Sequence, residues 1–122
     1  MYDNDLVAEI LHQILLSIEK ISHRIVTIKA PNDFLSSDTG QEKLDAICMQ
    51  IIVIGESLKK IDTITDGKLL QNYPEIDWKK AKGMRDVLTH HYSDLDVEVV
   101  FSVCDVEIPK MKLAIERIIK EL

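Results

Sequence analysis

Residues 44–61 read LDAICMQIIVIGESLKKI, and one set of apolar side chains recurs there at steps of 3, 4, 3, 4 and 3. This spacing lines one side of an α-helix, in the heptad-like pattern of bundle helices that cross at about 20°. The stretch therefore predicts a long helix of an all-α bundle. Gly55 interrupts it at a cost of about 1 kcal/mol relative to alanine, which suggests that another backbone passes close by. The stripe consists of Leu44, Ile47, Ile51, Ile54, Leu58 and Ile61.

An earlier stripe of isoleucine and leucine predicts a first helix, with steps of 4, 4, 4, 3, 4 and 3. Asp3 or Asn4 is placed to cap its start, and Pro31 ends it because a proline ring disfavours the helical conformation at the preceding residue. Thr39 and Glu42 have the spacing of a capping box, which predicts the start of the second helix. The first stripe consists of Leu6, Ile10, Ile14, Ile18, Ile21, Ile25 and Ile28.

The second half of the chain predicts two or three further helices. Asp77 is a cap for a third helix that ends at about His91, and a fourth begins near Asp96. Pro109 kinks that helix or starts a new one, because it lacks a backbone N–H. We therefore expect an all-α, antiparallel bundle of four to five helices, formed as a single domain over residues 1–122. The last apolar stripe is Ile108, Met111, Ile115, Ile118 and Leu122.

With 122 residues, of which 46% are apolar and 30% charged, the chain has the composition of a globular domain. Its longest apolar run is four residues and its first residues are acidic, so we expect no membrane span, no signal peptide and a cytoplasmic location. Cys48 and Cys104 are then expected to be reduced thiols in apolar surroundings rather than zinc ligands. The net charge of −6 argues against broad coating of nucleic acid, but it permits a local basic site.

That basic site is predicted within residues 79–92, which read KKAKGMRDVLTHHY. Arginine stays charged and grips phosphate through two donors, while histidine titrates near neutrality and suits proton transfer. Arg85 and His90 together therefore suit metal-free cleavage of RNA. Five residues of helix turn through about 140°, so this pair must meet through a frayed helix end or across two subunits. Asp86, four residues before His90, is expected to orient its ring. Flanking phosphates would be held by Lys79, Lys80 and Lys82.

Other interpretations of this stretch remain open on spacing alone. An arginine and a histidine on one helix more often form a salt-bridged surface, and a lysine run is more often a solvated face. His90 and His91 with Asp94 and Asp96 suggest a metal site, but no HExxH-type spacing supports one, and we expect no metal or other cofactor. Tyr92 alone is typical of a packing residue at the end of a helix.

The string from Arg85 to Tyr92 resembles the R-X4-H-X-Y motif of the HepT-like proteins, the DUF86 group of the HEPN superfamily. Neighbouring segments agree with the usual order in that family. The resemblance covers most of the chain and is strongest over residues 51–112. The other matching segments are Ile54-Gly55-Glu56, Pro74-Glu-Ile-Asp-Trp78, Lys82-Gly-Met-Arg85 and the stretch from Asp105 to Pro109.

The resemblance implies an all-α homodimer whose motif helices meet in a composite cleft. Family members are commonly metal-independent endoribonuclease toxins of type VII-like toxin–antitoxin pairs, with a minimal nucleotidyltransferase encoded alongside as antitoxin. Carried over by position, Arg85 binds the phosphate in its transition state and His90 is the acid–base. Glu56 and Asp86 support them, although the family often has Asn at the latter position. In some pairs the partner attaches AMP to the motif tyrosine, which is Tyr92 here.

Two alternatives to the toxin remain. The acidic net charge favours a non-catalytic nucleotide-binding or adaptor subunit of a minimal nucleotidyltransferase. The polar string would also suit a plain helical dimerisation module, in which it only satisfies an interface. The partners expected for the toxin are a second copy of the chain, the cognate nucleotidyltransferase antitoxin and RNA, with no membrane.

Overall fold

The structure, a computed structural model, describes residues 2–122 and contains five α-helices and no β-strand over that range. None of these helices is both long and apolar enough to cross a lipid bilayer. The predicted all-α fold is confirmed. The helices are α1 (Asn4–Arg24), α2 (Asp38–Thr65), α3 (Trp78–His90), α4 (Val97–Ser102) and α5 (Ile108–Glu121). Short 3₁₀ turns lie at Ile25–Thr27, Pro31–Phe34, Leu70–Asn72 and Tyr92–Asp94, and a π-helical segment lies at Val103–Glu107.

The second helix, α2, is central to the bundle. It packs against both α1 and α3, and α1 also packs against α5. All six members of its predicted apolar stripe are buried, and Ile47, Leu58 and Ile61 are buried completely. α1 has a similar buried stripe, although Leu6 in its first turn is exposed. Removal of this apolar surface from water stabilises the bundle by about 25 cal/mol for each Å² buried.

The starts of α1 and α3 agree with the sequence prediction. The side chain of Asp3 accepts a hydrogen bond from a backbone N–H in the first turn of α1 at 3.1 Å. Asp77 does the same for α3 at 3.0 Å. Each carboxylate satisfies one of the backbone donors that have no partner inside a helix.

The predicted start of α2 is wrong, because Thr39 and Glu42 both lie inside the helix. The capping residue is Ser37, whose Oγ accepts a hydrogen bond from the N–H of Gly40 at 2.9 Å. The preceding 3₁₀ turn packs so tightly here that a Cβ on Gly40 would lie 2.1 Å from the carbonyl oxygen of Asp33. This tertiary contact fixes where the helix can begin, and the spacing of polar residues does not reveal it.

Pro109 lies in the first turn of α5, in agreement with the prediction that it kinks or starts a helix. A proline lacks an N–H, and its ring clashes with the carbonyl four residues earlier, which here belongs to Asp105. The wider π-helical turn before it accommodates that conflict without ending the helical path. The last apolar stripe is buried except for Leu122, which is exposed at the end of the chain.

Candidate active site

The helices α2 and α3 are antiparallel, and polar pairs join them along their contact. Residue numbers along the α3 side generally rise as those along α2 fall. The antiparallel pairing therefore holds several polar side chains of the motif stretch against one helix. The pairs are Lys82 with Asp62, Arg85 with Glu56, Asp86 with Lys59, and Tyr92 with Asp45.

Gly55 allows Arg85 to lie directly on α2, as the interruption of the apolar stripe predicted. A Cβ at this position would lie 3.3 Å from the carbonyl oxygen of Ala81, one turn before the arginine. From this place the guanidinium reaches Glu56, and its Nε and Nη2 atoms each lie 3.4 Å from Oε1 of that carboxylate. Arg85 remains 30% exposed, so its cation is held in position and still open to solvent.

Arg85 belongs to a row of alternating charges. Its Nη1 donates to Asp86 at 3.1 Å, and Nζ of Lys59 donates to the two oxygens of the same carboxylate at 3.2 and 3.4 Å. The hydrogen bonds from Lys59 and then Arg85 lower the pKa of Asp86 below its usual value. The hydrogen bond to Asp86, and then that to Glu56, raises the pKa of Arg85. The guanidinium therefore carries a fixed charge.

The prediction that Asp86 contacts His90 is wrong. Within residues 2–122 the carboxylate bonds to Arg85 and Lys59, and the histidine ring has no hydrogen-bond partner. The side chains of an arginine and a lysine lie within hydrogen-bonding distance of the carboxylate, and such charge-assisted hydrogen bonds are stronger than those between neutral groups. Asp86 thus positions Arg85 rather than His90.

One chain does not bring Arg85 and His90 together. The helix α3 is regular up to His90, its last residue, so five helical positions separate the two side chains by about 140°. The expected route through a frayed helix end is therefore wrong. His90 is exposed at the end of the helix, and His91 follows it with a backbone N–H bonded to Val87 at 2.9 Å.

The three lysines of the motif stretch differ in their surroundings. Lys79 and Lys80 are exposed, and within residues 2–122 neither forms an ion pair. Lys82 is partly buried and bonds to Asp62 of α2, so it is less available for phosphate than the sequence predicted. Lys59 and Asp45 were missed by sequence reasoning. They lie on α2, and no local pattern connects them to a motif that follows some 25 to 50 residues later.

An open groove of about 520 Å³ lies between α2 and α3. Its apolar lining includes Met49, Ile52 and Leu88, and the Met49 side chain is 56% exposed. Its polar lining is supplied by Asp45, Glu56, Arg85, Thr89 and Tyr92. The groove thus combines an apolar floor with a cation, carboxylates and a phenol.

Within residues 2–122 no group of three or more histidine, cysteine, aspartate and glutamate side chains is arranged to hold a metal ion. Cys48 and Cys104 are free thiols and both are buried. Burial raises the pKa of each thiol to about 12, so both stay protonated at neutral pH. This agrees with their predicted role as small apolar side chains.

Residues 14–118 match the model of a family described as Ribonuclease HepT-like. The chain belongs to the HepT-like family. The match includes α2, α3 and all the residues of the groove, so the resemblance inferred from the motif is confirmed.

Several relatives of this HepT-like chain are known. A "Gamma-glutamylcyclotransferase and putative RNase" of Methanocaldococcus jannaschii is 34% identical over 112 residues, which cover 92% of this chain and 47% of the relative. A "Putative RNase" of the same organism is 39% identical over 77 residues, 63% of each chain. The "Probable ribonuclease HepT" of Thermococcus cleftensis is 36% identical over 75 residues, 62% of this chain and 64% of the relative. The chain thus spans from about half to just under two thirds of these relatives. No solved structure shows a significant match.

Proposed function

We propose that this HepT-like protein is a metal-independent endoribonuclease whose active site forms between two copies of the chain. The observation that supports it is the arrangement of Arg85 and His90. The first is a preorganised, solvent-accessible cation. The second is an imidazole at the end of the same helix that forms no hydrogen bond with the part of the chain that the structure describes. Two relatives carry the names "Putative RNase" and "Probable ribonuclease HepT", which agree with this chemistry.

The reaction uses the ribose itself as nucleophile. The 2′-oxygen attacks the adjacent phosphorus as its proton is removed, and the bond to the 5′-oxygen breaks as that oxygen gains a proton. His90 serves as acid or base in these transfers. Arg85 stabilises the negative charge that develops on the phosphorane oxygens. Its hydrogen bonds to Glu56 and Asp86 hold the guanidinium in place before RNA arrives.

A two-fold dimer formed through the α2–α3 face would bring Arg85 of one copy close to His90 of the other. Each copy would offer its Arg85 to the His90 of the other, and both sites would form at once. Val87 on α3 has an exposed side chain outside the groove, and it gives such a pairing an apolar contact. Lys79 and Lys80 would hold flanking phosphates.

The regulatory part of the proposal is a toxin–antitoxin pairing. A minimal nucleotidyltransferase would silence the ribonuclease by attaching AMP to Tyr92, whose side chain lines the groove and is 39% exposed. The attached nucleotide would fill the groove and exclude RNA. Expression in a bacterial host should then arrest growth, and co-expression of the transferase should restore it. Harmless expression of the wild type alone would contradict the toxin role.

Mixed variants test the shared site directly. Arg85→Ala and His90→Ala should each abolish RNA cleavage, measured in EDTA to exclude metal-dependent contaminants. Mixing the two variants should restore about a quarter of wild-type activity, because half of the dimers become heterodimers and each has one intact site. Cleavage that survives in both single variants would move the active site elsewhere. Inactive variants that do not complement each other would place both residues in one subunit or in no active site.

A nucleotide-binding adaptor is the second candidate. It is favoured by the two carboxylates that already pair with Arg85, since they oppose the approach of a polyanion such as RNA. Calorimetry with ATP and AMP, with and without the transferase, distinguishes it from the ribonuclease. Tight mononucleotide binding by a chain that leaves RNA intact would favour the adaptor.

A further inference from the structure

The motif tyrosine has a partner on α2. The hydroxyl of Tyr92 donates a hydrogen bond to Oδ1 of Asp45, across 47 positions of sequence. Tyr92 follows directly after the end of α3, and Asp45 lies in the first half of α2, so the antiparallel pairing of the helices creates the contact. Both side chains line the groove and are accessible from solvent.

We propose that Asp45 is the general base that makes Tyr92 a nucleophile toward a nucleoside triphosphate. This role rests on the proposed modification of Tyr92. In the step, the phenolic oxygen attacks the α-phosphorus of a nucleoside triphosphate presented by the transferase. The new oxygen–phosphorus bond forms, the bond to pyrophosphate breaks, and the phenolic proton passes to the Asp45 carboxylate. The protonated carboxyl group then loses the proton to water.

The surroundings of the phenol explain why a base is needed. Partial burial and, as a smaller cause, the hydrogen bond to Asp45 raise the pKa of Tyr92 well above its usual value of 10. Phenolate is therefore scarce at neutral pH, and the proton must leave during bond formation. A carboxylate that already accepts this hydrogen bond needs no rearrangement to take the proton. While it holds the proton it is neutral, so it does not repel the phosphate as the new bond forms.

The groove also suggests where the attached nucleotide lies. Asp45 and Glu56 are eleven positions apart on α2, which corresponds to about 16 Å along the helix. The phosphodiester on Tyr92 would thus stay at the Asp45 end, and the nucleoside would extend over Met49 and Ile52 toward Arg85. Modification would then block the approach of RNA to Arg85 by occupying the groove.

The first test measures nucleotide transfer by intact mass spectrometry, using full-length protein, ATP and the neighbouring nucleotidyltransferase. Asp45→Asn should slow the mass increase at least about tenfold at neutral pH. Its rate should also rise about tenfold per pH unit as hydroxide takes over proton removal, while the wild-type rate changes little. Glu42→Gln, an exposed change on the same helix, should behave as wild type, and Tyr92→Phe should take up nothing. Asp45→Asn with wild-type rate and pH profile would overturn the proposal.

The second test needs no transferase. An adenosine-based sulfonyl fluoride reacts with a phenol by forming an oxygen–sulfur bond and releasing fluoride, and the same carboxylate would accept the proton. Labelling of Tyr92, located by peptide mass spectrometry, should be about tenfold slower in Asp45→Asn than in wild type or Glu42→Gln. Equal labelling in all three would overturn the role of Asp45. If labelling depends on Asp45 but wild type takes no nucleotide from ATP, the proposed regulation and the nucleotide donor fail, and only base activation of Tyr92 stands.

Discussion

A Cβ atom built on Gly55 would lie 2.7 Å from the Cβ of Arg85, closer than two such atoms can approach. The glycine belongs to α2 and the arginine to α3, and the absence of one side chain creates the place where the other crosses. Both atoms are attached directly to the backbone, so no side-chain rotation can relieve the clash. The position of the proposed catalytic cation therefore depends on a glycine 30 positions earlier in the chain.

Gly55→Ala tests this dependence. Overpacking costs about 1–3 kcal/mol, and the higher helix propensity of alanine returns about 1 kcal/mol. We expect a net loss of about 1 kcal/mol in the free energy of unfolding, measured with urea. RNA cleavage should fall much further, because the helices must separate and displace the guanidinium of Arg85. Gly83→Ala is the matched control, since a Cβ at that position meets nothing within 4 Å. This substitution should stabilise α3 by about 0.5–1 kcal/mol. Similar behaviour of the two variants would contradict the argument.

Two hydroxyl residues distinguish the observed start of α2 from the predicted one. Ser37→Ala removes the hydroxyl that accepts a hydrogen bond from the N–H of Gly40, so it should lower the free energy of unfolding by about 1 kcal/mol. Thr39→Ala removes an exposed side chain inside the helix and should change it by less than about 0.5 kcal/mol. Urea denaturation of both variants gives the comparison. A larger loss of unfolding free energy for Thr39→Ala than for Ser37→Ala would instead support the predicted capping box of Thr39 and Glu42.

Lys79 and Lys82 should differ in function, although they lie three positions apart. Lys79→Gln removes an exposed cation, so it should weaken RNA binding and reduce the slope of affinity against salt by about 1. Lys82→Gln leaves Asp62 without its partner, so it should lower stability by at most about 1 kcal/mol and leave the salt slope unchanged. Titration with a 2′-O-methyl RNA, which cannot be cleaved, separates binding from reaction. Equal salt slopes would show that Lys82 also contacts RNA.

The raised pKa of the Tyr73 phenol leads us to expect a loss of stability at high pH. Burial, and then its hydrogen bond to Glu121 at 2.6 Å, raise its pKa from 10.0 to about 12. A raised pKa means that the folded state holds the proton more tightly. The stabilisation is therefore complete below pH 10 and is lost as the pH rises toward 12.

Tyr73→Phe isolates this effect, because the ring and its contact with the guanidinium of Arg117 at 4.7 Å remain possible. The difference in unfolding free energy between wild type and variant should shrink between pH 9 and pH 11.5. Other groups that ionise in this range cancel in the difference. A difference that does not change with pH would show that the phenol has the same pKa in both states.

Much of the fold could be predicted because its signals are local. The steps of 3 and 4 along residues 44–61 predicted a buried helical face, and the caps Asp3 and Asp77 act on N–H groups only three residues away. The start of α2 could not be predicted, because it depends on packing between Gly40 and Asp33. Asp86 was assigned to the wrong partner for a similar reason, since its bond to Lys59 joins two helices.

The sequence by itself determined the helical class, the family and the chemistry of the motif, because periodicity and residue type are properties of short stretches of chain. The tertiary structure alone decided which charges meet. It placed Arg85 between Glu56 and Asp86, and Tyr92 against Asp45. Such contacts follow from how two antiparallel helices align, and that alignment is set by the packing of their buried faces. The same packing leaves one imidazole and one guanidinium about 140° apart on a single helix, which is why we propose that a second copy completes the site.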